Sequence, residues 1–266
     1  MKMLKELYVY RELLKSNVKK EIRGKYKGSF LGVLWSFVNP LLSVLVYAIV
    51  FPYLMRGVTV DNYLVYLITG IIPWTFFVNS MSQGMASIRN NSGIIKKVYF
   101  PREVLPLSVC LAGLVNFFIS CIIVLIFCAL FQVGFSWHLI LLPAIAIIEF
   151  FICLGATLMF SAINVYIKDM EYIINFVINM LFYGTPILYS LDSVVAASSS
   201  DIPSILLLLV NLNPFTHMMK IYRDIFLYHN VNNLNSWLYI IGIAVLVFVI
   251  GLTVFKKLEK GFAEEV

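Results

Sequence analysis

Six long apolar runs, separated by polar segments, dominate the pattern of this chain. Each is close to the roughly 20 residues that a helix needs to cross about 30 Å of hydrocarbon. Composition agrees, since 61% of the 266 residues are hydrophobic and only 13% are charged, against about a quarter in soluble domains. The pattern predicts an all-α integral membrane protein whose six transmembrane helices lie in a domain covering residues 30–256, at 30–54, 63–86, 105–131, 139–166, 172–189 and 237–255.

Proline and glycine predict irregularities in three of these helices. Pro40 should kink or open the first helix, because proline donates no backbone hydrogen bond. Gly70 and Pro73 should interrupt the second. The fifth run is the shortest and contains Gly184 and Pro186.

Two segments outside the runs have amphipathic patterns. Within the N-terminal residues 1–29, apolar positions recur near a 3.6-residue period over residues 4–23, which predicts a helix lying on the membrane surface. Residues 190–236 contain a short apolar piece, Ile205–Val210, and an amphipathic piece, Asn213–Tyr228, which is expected in the outer membrane interface. The two pieces fit either a re-entrant pair of gate helices or an inert surface loop.

Basic residues fall almost entirely on one side of this topology. Seventeen of the twenty lysines and arginines lie in the N-terminal segment, in the loop 88–104, at Lys168, and from Lys256 onward. By the positive-inside rule, both termini, the loop and the tail 257–266 are cytoplasmic, so that residues 190–236 are external. The external side keeps Arg56, Lys220 and Arg223.

The loop Gly93–Pro106 combines charge with bulky apolar residues. Lysines and an arginine surround Val98–Phe100 in the sequence GIIKKVYFPREVLP. A loop that only turned the chain in water would be polar throughout, and aromatic surface flanked by charge is typical of a protein contact. The alternative is an orientation signal whose aromatic rings lie among the lipid headgroups.

Motifs of common enzyme classes do not occur in the sequence. It contains no G-x-x-x-x-G-K-[ST] phosphate loop, no H-E-x-x-H zinc motif and no G-x-S-x-G elbow. The three histidines are far apart, and the four cysteines form no C-x-x-C pair, so we interpret the cysteines as small buried apolar residues. Neither a metal site nor nucleic-acid binding is expected.

One ionisable residue, Glu149, is predicted deep in the bilayer. A charge there costs at least about 2.5–3.5 kcal/mol, so the carboxyl should be protonated, paired or next to a wet cavity, and its role can be functional or one of packing. Amides inside the runs are candidates for hydrogen bonds between helices: Asn116, Asn164, Asn175 and Asn179.

Aromatic residues near the ends of the runs have two interpretations. Tryptophan is enriched at membrane–water interfaces, where Trp35, Trp74 and Trp237 are expected. Flat rings also pack on the apolar faces of sugars, so that some of these residues can line a passage. The candidates for a channel or gate are Trp35, Phe37, Phe182, Tyr183 and Tyr189.

Cations and glycines cluster just before the first run. At the predicted bilayer boundary, Arg23, Lys25 and Lys27 suit an anionic phosphate or, alternatively, anionic lipids in general. Three glycines are spaced four apart and are expected to share one helical face that allows close backbone approach: Gly24, Gly28 and Gly32.

Five motifs in this order resemble one protein family over essentially the whole chain: RGKYKGSFLGVLWSFVNPLL, IIKKVYFPREVLPLS, SAINVYIKDMEY, FYGTPILY and LNPFTHMMKIYRDIFLY. Together they are similar to the permease subunit of polysaccharide-exporting ABC transporters, the group that exports O-antigen, teichoic acid or rhamnose-type glycans. The resemblance implies a homodimer of six-span permeases in a bacterial cytoplasmic membrane, joined to two copies of a separate ATPase subunit. The chain itself would be a transport subunit without cofactor, because ATP and Mg would bind to the partner.

The resemblance also assigns roles to residues. The family's interfacial helix falls on Leu4–Arg23, and its external gate helices fall within Ser190–Tyr228. The region that meets the diphosphate of the lipid carrier falls on the basic, glycine-containing stretch before the first run. The coupling helix falls on Ile95–Glu103, where the residues implied in ATPase coupling are Ile95, Lys96, Lys97, Tyr99, Phe100, Pro101, Arg102 and Glu103.

Two rival functions are weaker. A stand-alone secondary transporter would be expected to have two related halves with broken helices and several charges at mid-membrane, whereas the sequence has one such charge, Glu149, and no clear repeat. A membrane-bound glycosyl- or acyltransferase would need an acid, base or metal cluster at one membrane face. An ABC permease for another lipid-linked or amphipathic substrate is the closer alternative.

Overall fold

The structure is a computed structural model that describes residues 6, 8–24, 30, 32, 35–54, 62–191, 203–231 and 233–265. Its α-helices are numbered here in chain order: α1 Arg11–Gly24, α2 Trp35–Leu54, α3 Tyr63–Asn90, α4 Ser92–Ile95, α5 Val104–Leu130, α6 Leu142–Tyr166, α7 Met170–Gly184, α8 Ser204–Leu212, α9 Pro214–Arg223, α10 Leu234–Leu258 and α11 Phe262–Glu265. The 3-10 turn Trp137–Leu141 leads into α6, and the π-turn Asp224–Tyr228 continues α9.

Four of the helices in the described ranges are long and apolar enough to cross a membrane: α3, α5, α6 and α10. Their bounds confirm four of the predicted runs to within a few residues. The apolar core of α2, Val38–Phe51, is shorter, and α7 has 15 residues. The pair α8–α9 is bent by 71° and is therefore a broken span or a re-entrant loop. The chain is an all-helical, multi-pass membrane protein.

The centre of the bundle is α3, which packs against α2, α5, α6, α7 and α9. A helix that is surrounded in this way is apolar on all sides. The predicted interruption at Gly70 and Pro73 is wrong, because α3 is one continuous helix through both residues. Packing from every side holds the helix together although Pro73 lacks a donor. Gly70 instead provides room, since a Cβ there would lie 3.1 Å from Nη2 of Arg223. Likewise, α2 continues through Pro40 without opening.

The closest helix contact joins α6 and α10. A Cβ on Gly251 would overlap the carbonyl oxygen of Gly155, and a Cβ on Gly155 would lie 2.6 Å from the backbone of Phe248. Small residues allow two backbones to meet in this way, and such contacts drive helix association where lipid offers no hydrophobic incentive. The two helices are therefore held in a fixed register.

Three of the segments predicted to be cytoplasmic meet at one end of the bundle, called here the basic end. Nζ of Lys20 in α1 donates to Oδ1 of Asn91 in the loop before α5, at 3.1 Å. Arg102 in that loop donates to the backbone oxygen of Glu259 in the C-terminal tail. Next to it, the Tyr166 hydroxyl at the end of α6 donates to the oxygen of Leu258 at 2.8 Å. The charge distribution therefore predicted the grouping of these segments correctly.

Interior polar and aromatic residues follow the predictions in part. All four cysteines are buried and free, as expected. Asn164 donates to the oxygen of Met85 at 3.2 Å, and Asn175 accepts from Ser82 at 3.2 Å, so both link helices. The interfacial position predicted for Trp74 is wrong. Only 6% exposed, it packs among aromatic rings of α3, α7 and α9 because these helices close around it.

We expect Gly251→Ala to destabilise the purified protein by about 1–3 kcal/mol, the usual cost of overpacking a core, because the facing atoms are backbone and cannot rotate away. Thermal unfolding in detergent, followed by labelling of the buried cysteines, measures this. The matched control is Gly242→Ala in the same helix, where nothing lies within 4 Å. Equal stability of the two variants would show that the α6–α10 contact is not tight.

Candidate functional site

The first candidate surface is the loop Arg89–Glu103 at the basic end, called here the basic loop. It is pinned at two points, since Ile95 and Phe100 are each only 6% exposed. Between these anchors the chain bulges outward, and Tyr99 is 92% exposed while Val98 is 56% exposed. The described loop thus presents a projecting ring rather than a flat polar turn. Such a ring, with exposed lysines beside it, is suited to insertion into a partner's pocket.

Two other residues assigned to coupling, Arg102 and Glu103, face the C-terminal tail and α10 instead of the surface. Arg102 lies with its guanidinium carbon 5.7 Å from the centre of the Phe262 ring in the tail. Glu103 is 3% exposed and forms an ion pair with Lys256 of α10. The structure therefore divides the predicted set in two. The side chains on the surface are Lys96, Lys97 and Tyr99, with the neighbouring Ile94 and Val98, whereas Ile95, Phe100 and Glu103 are buried, and Pro101 and Arg102 are partly so.

The predicted carrier-phosphate site is described only in part, because Lys25, Lys27 and Gly28 lie outside the described residues. Arg23 and Gly24 are exposed at the end of α1. The predicted shared glycine face is wrong. α1 ends at Gly24, and Gly32 has a φ of +51°, a left-handed conformation that glycine adopts easily and that no α-helix contains.

An aromatic cleft of about 430 Å³ lies between α2, α3 and α7. Phe182 forms its centre, with ring centroids 5.7 Å from Trp74 and 6.0 Å from Tyr47. Tyr183 is 68% exposed at the rim, and its backbone oxygen accepts a 3.2 Å hydrogen bond from the hydroxyl of Tyr189. Three of the five predicted channel residues thus come together. Trp35 lies at a second cleft, and the side chain of Phe37 lies outside the described residues.

The second cleft, also of about 430 Å³, is a polar cleft on the other side of α2, between α2, α3 and α5. Sequence reasoning missed it. Thr75, Asn79 and Gln83 are spaced four apart and form one polar stripe along the otherwise apolar α3, which was the available signal. Asn116 and Ser120 of α5 line the opposite wall, and Glu21 and Trp35 lie at the cleft as well. Amides and hydroxyls of this kind can hydrogen-bond an uncharged, hydroxyl-rich ligand.

Helix α9 packs inside the bundle, whereas α8 has no buried residue. The burial of α9 corrects the interfacial position expected for Asn213–Tyr228. Phe215, at the start of α9, packs on Phe77 with ring centroids 4.3 Å apart and on Trp74 at 5.3 Å. Trp74 lies about 16 Å along α3, at 1.5 Å per residue from Tyr63. Seven side chains of α9 are buried, so it is not an inert surface loop. Asn213 at the apex donates to Oγ1 of Thr185 at 2.8 Å.

Glu149 meets the C-terminal end of α9. The hydroxyl of Tyr222 in α9 donates to Oε2 of Glu149 in α6 at 2.5 Å, and both residues are fully buried. The structure thus gives this interior carboxyl one hydrogen-bond donor. Next to it, Arg223 lies 3.5 Å from the centre of the Tyr66 ring and donates to the oxygen of Ile187 at 3.0 Å. These contacts fix α9 against α6 and α3.

Ligand groups for a metal do not assemble in the part of the chain that the structure describes, where no three His, Cys, Asp or Glu side chains come together. The candidate surfaces are instead a projecting loop and two clefts, beside the buried helix α9.

Comparison with known proteins identifies the family. Residues 12–227 match the family of the ABC-2 type transporter. The chain belongs to this family. Among similar proteins, an O-antigen export system permease protein RfbA of Myxococcus xanthus is 32% identical over 265 residues, which cover 100% of this chain and 99% of the relative. One from Klebsiella pneumoniae is 36% identical over 258 residues, 95% of this chain and 94% of the relative. The polysialic acid transport protein KpsM of Escherichia coli is 21% identical, with 91% of each chain covered.

For this ABC-2 family member we expect Tyr222→Phe to lower the free energy of unfolding by about 1–3 kcal/mol, since it leaves the Glu149 carboxyl without its donor in the interior. Glu149→Gln keeps an acceptor oxygen for the tyrosine and should cost less than Glu149→Ala. Thermal unfolding of the purified permease measures all three. If Tyr222→Phe were neutral and the two Glu149 variants equal, the hydrogen bond would not hold α9.

Proposed function

We propose that this chain is the permease subunit of an ATP-driven exporter that moves a lipid-linked polysaccharide across the cytoplasmic membrane of a bacterium. The observation that carries the proposal is the full-length similarity to O-antigen export permeases, together with family membership. The substrate class rests on the relatives' names, which include O-antigen and polysialic acid. A lipid-linked or amphipathic molecule of another kind is the second candidate.

The proposed topology has six spans, made by α2, α3, α5, α6, α7 and α10, with both termini in the cytoplasm. Contacts at the basic end support it, because the basic loop touches both α1 and the C-terminal tail there. If these segments lie on the same side of the membrane, the chain must cross the membrane an even number of times. The re-entrant pair α8–α9 then adds no crossing and closes the external side, where Phe215 reaches the level of Trp74.

Energy would come from two copies of a separate ATPase subunit, each docked on a basic loop. The exposed Tyr99 between two buried anchors supports this assignment, since a rigidly held aromatic ring is the usual centre of a binding interface. Lys96 and Lys97 would meet acidic groups at the rim. ATP and Mg would remain on the partner, and this chain would carry no cofactor.

A second copy of the chain would cover the aromatic cleft and form the export channel with it. Asn179 of α7 supports this, because its amide is exposed in a helix whose other exposed residues are almost all apolar. An amide facing hydrocarbon would lose hydrogen bonds, whereas one facing a channel or a partner helix keeps them. The rings of Tyr47, Phe182 and Tyr183, which contact one another in tilted and edge-to-face arrangements, would offer apolar surfaces to sugars.

The carrier's diphosphate would bind at Arg23, Lys25 and Lys27. Support comes from the position of Arg23 at the end of α1, two residues from Glu21, which lines the polar cleft. Cations at the headgroup level attract phosphate, and the neighbouring cleft has amides for hydroxyl groups.

Reconstitution tests the function. The permease and the ATPase encoded beside it, placed in proteoliposomes, should translocate a lipid-linked glycan only when ATP is hydrolysed, and a hydrolysis-deficient ATPase should abolish transport. Transport by this chain alone, or chemical modification of the glycan by it, would establish one of the rival functions instead. Transport of only a short amphipathic lipid would favour the second candidate.

Replacing Arg23, Lys25 and Lys27 together by glutamine should lower export strongly while the complex still assembles, because the phosphate loses its cations. The matched control removes three exposed cations at the same end, Lys168, Lys257 and Lys260. Equal export in both triple variants would indicate that Arg23, Lys25 and Lys27 serve only as orientation signals.

Tyr99→Asp should weaken binding of the ATPase by at least about 2 kcal/mol, or roughly 30-fold, as expected for a central aromatic anchor. Co-purification and titration of the ATPase in detergent measure this. Tyr172→Asp is the control, since Tyr172 is 78% exposed in the first turn of α7. Phe100→Asp should instead damage the permease itself, because that ring is buried. Unchanged ATPase binding by the Tyr99→Asp variant would show that Tyr99 is not part of the interface.

A further inference from the structure

A charged junction lies behind the basic loop. Glu103, at the start of α5, is 3% exposed, and its carboxylate forms an ion pair with Nζ of Lys256 in the last turn of α10. Lys256 also lies 3.2 Å from Oε1 of Glu259 in the tail. A carboxylate buried to this degree is costly unless it is paired, so its position depends on Lys256. This contact joins two segments that are more than 150 residues apart in the chain.

Arg102 makes a second connection between the same two segments. Its guanidinium donates to the backbone oxygen of Glu259 and lies 5.7 Å from the centre of the Phe262 ring. Phe262 is fully buried against Phe255, with ring centroids 5.5 Å apart. The tail is thus a packed element that receives the loop, and we call Arg102, Glu103, Lys256 and Glu259 the charge junction.

Beyond the charge junction, the structure is stiff. The tail is held to α6 by the hydroxyl of Tyr166, which donates to the oxygen of Leu258, and a Cβ on Gly261 would overlap that hydroxyl. Further along, α10 is fixed to α6 at Gly155 and Gly251. A displacement of the loop that reaches Lys256 must therefore move α10 and α6 together, because neither helix can slip along the other.

We propose that the charge junction is the mechanical connection through which movement of the basic loop reaches the last span, so that Arg102 and Glu103 are positioning residues rather than ATPase contacts. This rests on the proposed function, because it assumes an ATPase that moves the loop. It assigns the C-terminal tail a part in transport. It also explains why the loop's aromatic ring faces out while its two following charges face in.

Charge reversal tests the connection in the complete permease–ATPase complex. Glu103→Lys and Lys256→Glu should each lower the glycan exported per ATP hydrolysed by about 2- to 30-fold, the range that substitutions in coupling networks produce. ATPase binding and ATP hydrolysis should stay near wild type, since the docking surface is untouched. The double variant, which restores an opposite pair, should recover most of the export. A merely structural role would lower assembly and hydrolysis as well.

Lys257→Glu is the matched control, because Lys257 is exposed one residue away and carries the same charge. Where a reversal prevents assembly, Glu103→Gln removes the ion pair with little change in shape and should still lower export per ATP. The connection is refuted if the double variant does not recover export, if Lys257→Glu has the same effect as Lys256→Glu, or if Glu103→Gln couples normally. Absence of ATP-driven export by the wild-type complex would overturn the proposed function instead.

Discussion

The backbone contact between α6 and α10 at Gly155 and Gly251 is the constraint on which the rest of the bundle depends. In a membrane there is little hydrophobic force to press helices together, so tight packing of small residues has to hold them. This contact sets the height of α10 relative to α6. The tail at one end and the Glu149–Tyr222 hydrogen bond at the other both depend on that height.

Side chains of the central helix α3 donate hydrogen bonds to backbone oxygens of a non-helical segment. After α7 ends at Gly184, the hydroxyls of Tyr63 and Tyr66 donate to the oxygens of Leu188 and Tyr189 at 2.8 and 2.7 Å. Hydrocarbon offers no hydrogen bonds, so an irregular segment inside a bundle needs partners of this kind. The tyrosines of α3 therefore satisfy the backbone that follows the short α7.

Sequence patterns predicted the long helices, the grouping of basic segments and the buried cysteines, because hydropathy and charge act on each residue separately. They failed where the packing of several helices determines the conformation or position of a residue. Pro73 stays helical since neighbours surround it, and Trp74 leaves the interface since three helices close around it. Resemblance marked Ile95–Glu103 as one coupling unit, but only the fold could divide it into the exposed Tyr99 and the inward Glu103. The polar stripe on α3 is visible in the sequence, but only the structure shows that it lines a cleft, because α5 forms the opposite wall.

Helix α2 separates two clefts of about equal volume, and Thr75 of α3 lines both. A rigid rod placed between two spaces cannot enlarge one without reducing the other. A sideways shift of α2 that widened the aromatic cleft would therefore narrow the hydroxyl- and amide-lined polar cleft. Helix α2 is thus a wall shared by both clefts, and its position sets the width of each.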